Sequence, residues 1–252
     1  MSTHTKIEWT ELSWNPTTGC TKVSPGCQNC YAESMARRLK AMGVEGYENG
    51  FALTLHPSRL TEPLLRRKPS TYFVNSMSDL FHEEVPDSYI EAVFSVIARS
   101  PWHSFQILTK RAERMASFFA DHLAPPNAWL GVTAENRTCG LPRIDLLRHI
   151  GVSIRFLSME PLLEDMGPLD LAGIDWVIVG GESGVRARPM KPWWVISIKE
   201  QCEAQGVKFF FKQWGLWGPD GVKRSKMANG RLLLGRTWDS TPAPTSALMH
   251  AV

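Results

Sequence analysis

Three cysteines fall within one eleven-residue window of the stretch TGCTKVSPGCQNCYAE, spaced as Cys20, six residues, Cys27, two residues, Cys30. A CxxC pair can offer both sulfurs to one metal centre, and the turn at Pro25-Gly26 brings the third thiol round to the same side. Three thiolates are one ligand short of a closed tetrahedral zinc site or a fully ligated iron–sulfur cluster. A four-iron four-sulfur (4Fe-4S) cubane held by three cysteines leaves one iron open to a non-protein ligand. That is the arrangement in which S-adenosylmethionine (SAM) chelates the open iron through its aminoacid group. Electron transfer then cleaves the sulfonium to methionine and a 5′-deoxyadenosyl radical. Two other readings stand beside this one: a structural zinc site completed by His4 or His56, and loop cysteines without redox activity. Cys139 and Cys202 are isolated and read as small buried apolar side chains.

Such a loop needs a scaffold, and the rest of the chain supplies the pattern of one. Short apolar or β-branched runs end abruptly in polar residues at 71–79, 104–110, 128–136, 154–161, 175–183 and 207–215, with an earlier strand within 6–15. Segments of helical spacing or composition lie between them at 31–42, 87–100, 111–123 and 192–206. Alternation of buried strands with helices predicts an α/β fold with a parallel sheet, built as a partial or irregular (β/α) barrel of about six to seven strands and about seven βα units. In such a barrel the functional groups sit at the C-terminal strand ends. Those ends carry Ser76, Ser78 and Asp79, then Lys110, Glu135, Glu160, Glu182 and Ser183, and last Lys212 and Gln213. The barrel with its cysteine loop (15–31) is expected over 1–215. Residues 216–252 then form a C-terminal extension with turns at PDG and ANG and a mobile tail.

The loop, together with SMSDLFHEEVP, ILTKRAERM, WLGVTAEN, FLSMEPLL, WVIVGGESG and FFFKQWG, resembles a group of phage and bacterial radical-SAM-like proteins of about this length. It is similar, more distantly, to spore photoproduct lyase, a DNA-repair member of the radical SAM superfamily. The usual superfamily spacing is three residues and then two, whereas here it is six and then two. The resemblance implies a radical SAM barrel, a 4Fe-4S cluster on Cys20, Cys27 and Cys30, and SAM. It also implies an external electron donor of flavodoxin or ferredoxin type and a nucleobase, nucleotide or modified DNA as substrate of an isomerase or lyase. The superfamily's ammonium-binding GGE-like motif follows the second strand, where this chain reads Asn75-Ser76-Met77-Ser78-Asp79. The literal GGES at Gly180–Ser183 comes too late for that role.

Cofactor contacts are therefore assigned to Tyr31, Ser76, Ser78, Asp79, Lys110, Glu135 and Glu160. Tyr31 packs over the cluster or the adenine, or else only starts a helix. Lys110 and Glu135 either hold the SAM aminoacid group or pair with each other. Substrate contacts are assigned to Glu182, Ser183, Arg186, Arg188, Lys212, Gln213 and Trp214, the last as a flat surface for a base. Gly180 and Gly181 would let backbone approach a ligand closely. The ten tryptophans include further stacking candidates, Trp9 among them, although most should be core packing.

Bulk properties narrow the class without choosing it. The formal charge of +3 permits a nucleic-acid partner but does not announce one. No run of about 18 apolar residues and no signal-peptide pattern occurs, so a cytoplasmic protein with no membrane association is expected. Five cysteines, an odd number, argue against a disulfide framework. The remaining alternative from another class is a zinc-stabilised nucleic-acid-binding protein without redox chemistry. Oligomeric state leaves no trace in the sequence.

Overall fold

The computed structural model describes residues 3–5 and 7–243, except the side chains of Thr3 and His4; most of the expected tail, 244–252, lies outside the described residues. The strands are β1 (Thr3–His4), β2 (Leu12–Trp14), β3 (Thr17–Thr18), β4 (Thr54–Leu55), β5 (Thr71–Val74), β6 (Ser104–Thr109), β7 (Ala128–Thr133), β8 (Ile154–Met159), β9 (Trp176–Gly180) and β10 (Lys208–Gln213). The helices are α1 (Tyr31–Ala41), α2 (Glu62–Leu65), α3 (Asp87–Ala98), α4 (Ala112–Asp121), α5 (Arg137–Arg148), α6 (Pro192–Ala204) and α7 (Lys226–Asn229). Seven strands, β2-β5-β6-β7-β8-β9-β10, pair parallel in that order, and β1 adds an antiparallel edge beside β2. Because β2 and β10 do not pair, the α/β sheet curves into a half-barrel and does not close.

The central strands read as continuous apolar runs because both of their faces are covered. Along β9, Val177 and Val179 pack into the large cluster under the helices, while Trp176 and Ile178 point into the barrel. The barrel interior therefore has two layers, set by the two-residue period of each strand. Its floor is an aromatic plug of Trp9, Phe73, Trp129, Phe156, Trp176 and Phe210, with Trp9 edge-on to Phe73 at 4.7 Å and to Trp176 at 6.1 Å. Steps of two along the same strands replace the rings by polar groups: Trp129 leads to Thr133, Phe156 to Ser158 and Glu160, and Phe210 to Lys212. The C-terminal mouth is thus polar and the opposite end is sealed.

Two features depart from the expected βα alternation. No helix joins β8 to β9; Pro161, Gly167, Pro168 and Gly173 interrupt the connection, which instead buries Leu162, Met166, Leu169, Leu171 and Ile174 against the core. Conversely α5 forms where Gly140 and Pro142 argue against a helix. Its Asn136 cap accepts a bond from Cys139 N at 2.9 Å, and its apolar face is buried. The C-terminal extension folds back on the sheet: Phe211 N donates to Trp238 O (2.9 Å), and Phe210 bridges Asp239 antiparallel, covering the free edge of β10. Among the described residues no helix is long and apolar enough to cross a membrane.

Candidate functional site

The cysteine loop leaves β2 at Asn15 and ends on α1, whose N-cap is Cys30. Gly19, at φ +84°, threads between two neighbours: its amide donates to Met77 O (3.0 Å), and a Cβ there would lie 2.1 Å from Ala52 O. Only glycine fits. At the root of the loop the buried His56 ring bonds Thr18 Oγ1 through Nε2 (2.8 Å), and Asn75 Nδ2 donates to Thr17 Oγ1 (2.9 Å). A 3-10 turn at Pro25–Cys27 then presents the CxxC pair.

Three polar clusters fasten this loop to later strand ends. Ser24 Oγ donates to Glu135, which is fully buried and paired with Arg143 (2.7 Å). Asn29, between the paired cysteines, donates to Glu182 Oε2 (3.1 Å) and to Arg186 O (3.0 Å). Arg188 grips the same Glu182 (2.5 Å) and reaches Pro25 O (3.0 Å) and Gln28 Oε1 (3.2 Å). Arg111 joins Asp79 (3.2 Å), Glu83 (2.8 Å), Thr21 Oγ1 (2.7 Å) and the sulfur of Cys20 (3.5 Å).

The charges follow from these contacts. Burial pushes Glu135 upward, but Lys110, the Ser24 bond and Arg143 outweigh it and hold the carboxyl below its usual range. Burial likewise opposes Glu182, and bonds from Arg188 and Asn29 bring it below the usual range as well. Both are fixed acceptors. The Cys20 thiol is pushed up to about 11, chiefly by burial and then by Asp79, with Arg111 pulling the other way. Near neutral pH this thiol therefore stands protonated.

Cys20, Cys27 and Cys30 are all free thiols, and all three line one cavity of about 370 Å³ at the C-terminal mouth. Tyr31, Ser76, Ser78, Asp79, Lys110 and Glu160 share its wall, as do Glu182, Ser183, Lys212 and Gln213. Some of these have no free capacity: the Asp79 carboxylate already accepts from Thr109 Oγ1 (2.7 Å), Lys110 N, Phe81 N and Arg111, and Ser78 is bonded to Thr17 (2.7 Å). Tyr31 OH donates to Ser76 O, and Lys110 Nζ to Thr133 Oγ1 (3.3 Å).

Four assigned residues are not on the cavity wall. Glu135 lies behind it as the fastening of Ser24; Arg188 is spent on Glu182 and the loop backbone; Arg186 faces solvent. Trp214 is buried, with Nε1 donating to Leu232 O (2.9 Å), so it offers no face to a base. Gly181 does line the cavity, and its missing side chain lets two backbones touch, since a Cβ there would meet the Trp214 carbonyl at 1.9 Å. His56, the candidate fourth zinc ligand, has its Nε2 on Thr18 and is not on this wall, and the His4 side chain lies outside the described residues.

Other groups reach the cavity unannounced: Glu8, Asn29, Arg111, Thr133, Ser158 and Lys226. Thr133 and Ser158 were discoverable, because each stands two residues before a strand-end glutamate on the same strand face. Glu8 and Lys226, paired at 2.7 Å across 218 residues, had no local signal. Among the described residues no three His, Cys, Asp or Glu side chains are gathered as ligands of one metal ion. A cubane makes no such demand, because each thiolate takes a different iron.

A family model described as "Protein of unknown function (DUF5131)" matches residues 4–242. No curated protein matches the sequence. Among solved structures, spore photoproduct lyase complexed with dinucleoside spore photoproduct is 10% identical with a TM-score of 0.48, over 80% of this chain and 63% of that one. A mutant of the lyase with bound AdoMet and dinucleoside spore photoproduct is 10% identical with a TM-score of 0.45, over 71% of this chain and 58% of that one. The chain spans less than two thirds of the lyase's length.

Proposed function

The chain belongs to the family described as protein of unknown function DUF5131, and we propose that it is a radical SAM enzyme acting on a nucleobase, nucleotide or modified DNA, by isomerase or lyase chemistry. One observation carries the reading: Cys20, Cys27 and Cys30 all reach the same cavity wall, on a loop fastened by buried Glu135 and Glu182. The donor set fits a 4Fe-4S cluster, being three free thiols with an Arg111 N–H directed at the Cys20 sulfur. When bound, the cluster and SAM supply reductive formation of a 5′-deoxyadenosyl radical.

The chain's own residues divide the remaining work. The three cysteines would hold the cluster, and Arg111 donates to the Cys20 sulfur. Tyr31, Ser76, Lys110 and Glu160 contact SAM, while Ser78 holds the root of the loop through Thr17 and Asp79 acts through Arg111 and the Lys110 amide. Glu135 positions the loop and does not touch the cofactor. Ser183, Lys212 and Gln213 face the substrate, and the aromatic floor beneath them suits a base. Reduction calls for an external donor of flavodoxin or ferredoxin type, and free cysteines with a reduced cluster suit a reducing cytoplasm.

Anaerobic purification followed by iron and zinc analysis tests the reading. A brown protein that releases 5′-deoxyadenosine when reduced with SAM is the expected result. A colourless protein holding stoichiometric zinc would favour the nucleic-acid-binding alternative.

A further inference from the structure

Arg111, the N-cap of α4, is only 8% exposed, yet its guanidinium is held from several sides. Nε donates to Glu83 Oε2 (2.8 Å), Nη1 to Asp79 Oδ2 (3.2 Å), and Nη2 to Thr21 Oγ1 (2.7 Å) and Thr21 O (3.3 Å). The acceptors are themselves fixed. Asp79 takes Thr109 Oγ1 and the amides of Lys110 and Phe81. Thr21 Oγ1 also accepts from His82 Nε2 (3.0 Å), a ring oriented by the Glu84 amide on Nδ1 (3.2 Å). In this frame Nη1 also points at Cys20 Sγ, 3.5 Å away. The planar fork therefore holds one N–H on the sulfur.

Among the described residues, neither of the other two sulfurs has a charged donor. Cys27 Sγ lies 3.8 Å from Ser24 Oγ, but that hydroxyl has a single proton and gives it to Glu135. The Ser34 hydroxyl, one turn from Cys30, goes to the Cys30 carbonyl (3.4 Å) and not to its sulfur. Cys20 Sγ donates to Thr21 O (3.3 Å) while protonated. As a thiolate it would lose that bond, yet Thr21 O keeps Arg111 Nη2 and the sulfur keeps Arg111 Nη1. The surroundings of Cys20 are thus already complete for a metal-bound thiolate. A hydrogen bond to a cluster thiolate draws electron density away from the iron and makes reduction easier. The charge of Arg111 does less, because one guanidinium faces two carboxylates, Asp79 and Glu83. We propose that Arg111 raises the reduction potential of the cluster through its directed N–H on Cys20, and not through its charge. Acting through a ligand, it is a positioning residue. The inference rests on the cluster reading above and adds to it what sets the ease of reduction.

The test uses the full chain, anaerobically reconstituted, with iron and sulfide content measured first. Arg111→Lys keeps a positive charge opposite Asp79 and Glu83 but lacks the fork that serves both acids and the sulfur together. At a fixed applied potential its ratio of reduced to oxidised cluster should fall roughly tenfold, equal to about 59 mV for a one-electron couple. Glu83→Gln removes one charge from a side chain that is 59% exposed and leaves an acceptor for Nε. It should move the ratio by less than about twofold, because an exposed charge is screened. A second readout needs no substitution: with nitrogen-15-labelled arginine, electron spin-echo spectra of the reduced parent cluster should show nitrogen-15 coupling, which Arg111→Lys should lose. Equal ratios in parent and Arg111→Lys at equal iron loading overturn the proposal, and so does a loaded parent without nitrogen-15 coupling. A Glu83→Gln shift as large as that of Arg111→Lys overturns it as well, since charge alone then accounts for the effect. Should Arg111→Lys fail to load, the labelled parent still decides. A parent that takes up iron and sulfide yet fails these readouts loses only this inference, whereas a parent that takes up no cluster removes the reading beneath it.

Discussion

The two walls of the cavity are built on opposite rules. On the cysteine side every key carboxylate is saturated: Asp79 accepts four donors, Glu135 holds Ser24 and Arg143, and Glu182 holds Asn29 and Arg188. On the β10 side Glu8, Glu160 and Gln213 each keep a buried acceptor open. The saturated wall is a mount, since its charges are spent on holding a loop of 17 residues (15–31) in one shape. Among the described residues, the β10 wall has no such set of fastenings to the loop. Perturbed or buried carboxylates therefore do not by themselves mark ligand contacts, since those on the cysteine side are spent on protein donors.

That contrast can be broken experimentally, and the largest effect should come from the cysteines that the mount carries. Replacing Cys20, Cys27 or Cys30 by Ala leaves two thiolates, so stable four-iron loading should vanish, whereas Cys139→Ala and Cys202→Ala should load normally. Iron and sulfide analysis decides it; full loading in Cys27→Ala would falsify the ligand assignment.

Next comes the mount itself. Glu135→Ala leaves Arg143 buried without its partner and releases Ser24, which should cost about 3 to 5 kcal/mol in denaturant unfolding and impair cluster loading as well. If that variant unfolds like the parent, Glu135 is not a fastening and the two walls are not different in kind.

A smaller effect is expected at the root of the loop. His56 titrates at about 4 in the folded chain against an ordinary 6.5, because burial and then Arg59 penalise the imidazolium. A histidine held neutral contributes stability that is complete above pH 6.5 and is lost as the pH falls toward 4. Stability should drop over that window by about 1 to 2 kcal/mol more in the parent than in His56→Gln. Thermal unfolding across the same buffers measures it, and parallel curves would remove His56 from the account.

The smallest structural effect belongs to the open wall. Glu8→Gln loses a partly exposed ion pair to Lys226 and should change unfolding by less than about 1 kcal/mol. Any consequence should be seen in ligand binding instead. A loss as large as that of Glu135→Ala would show that the open wall is also scaffold.

Much of this molecule was written locally. The seven parallel strands were legible because a strand buried on both faces is a short apolar run with abrupt polar ends, and the three-cysteine loop because its thiols are close in sequence. Strand-end position also placed Ser76, Lys110, Glu160, Lys212 and Gln213 together, and all five line the cavity mouth. Helix α5 was not legible, since Gly140 and Pro142 oppose it locally and burial of its apolar face overrides them. Tertiary structure alone decided which strand-end charges point at each other and which stay open. Glu135 and Glu160 look alike in sequence, each an acid at the end of a buried strand. One is consumed by an arginine eight residues on and a serine 111 residues back, and the other keeps an oxygen free beside Lys212. Pairing across such separations depends on where the folded backbone brings the partners, and no local pattern of residues records that position.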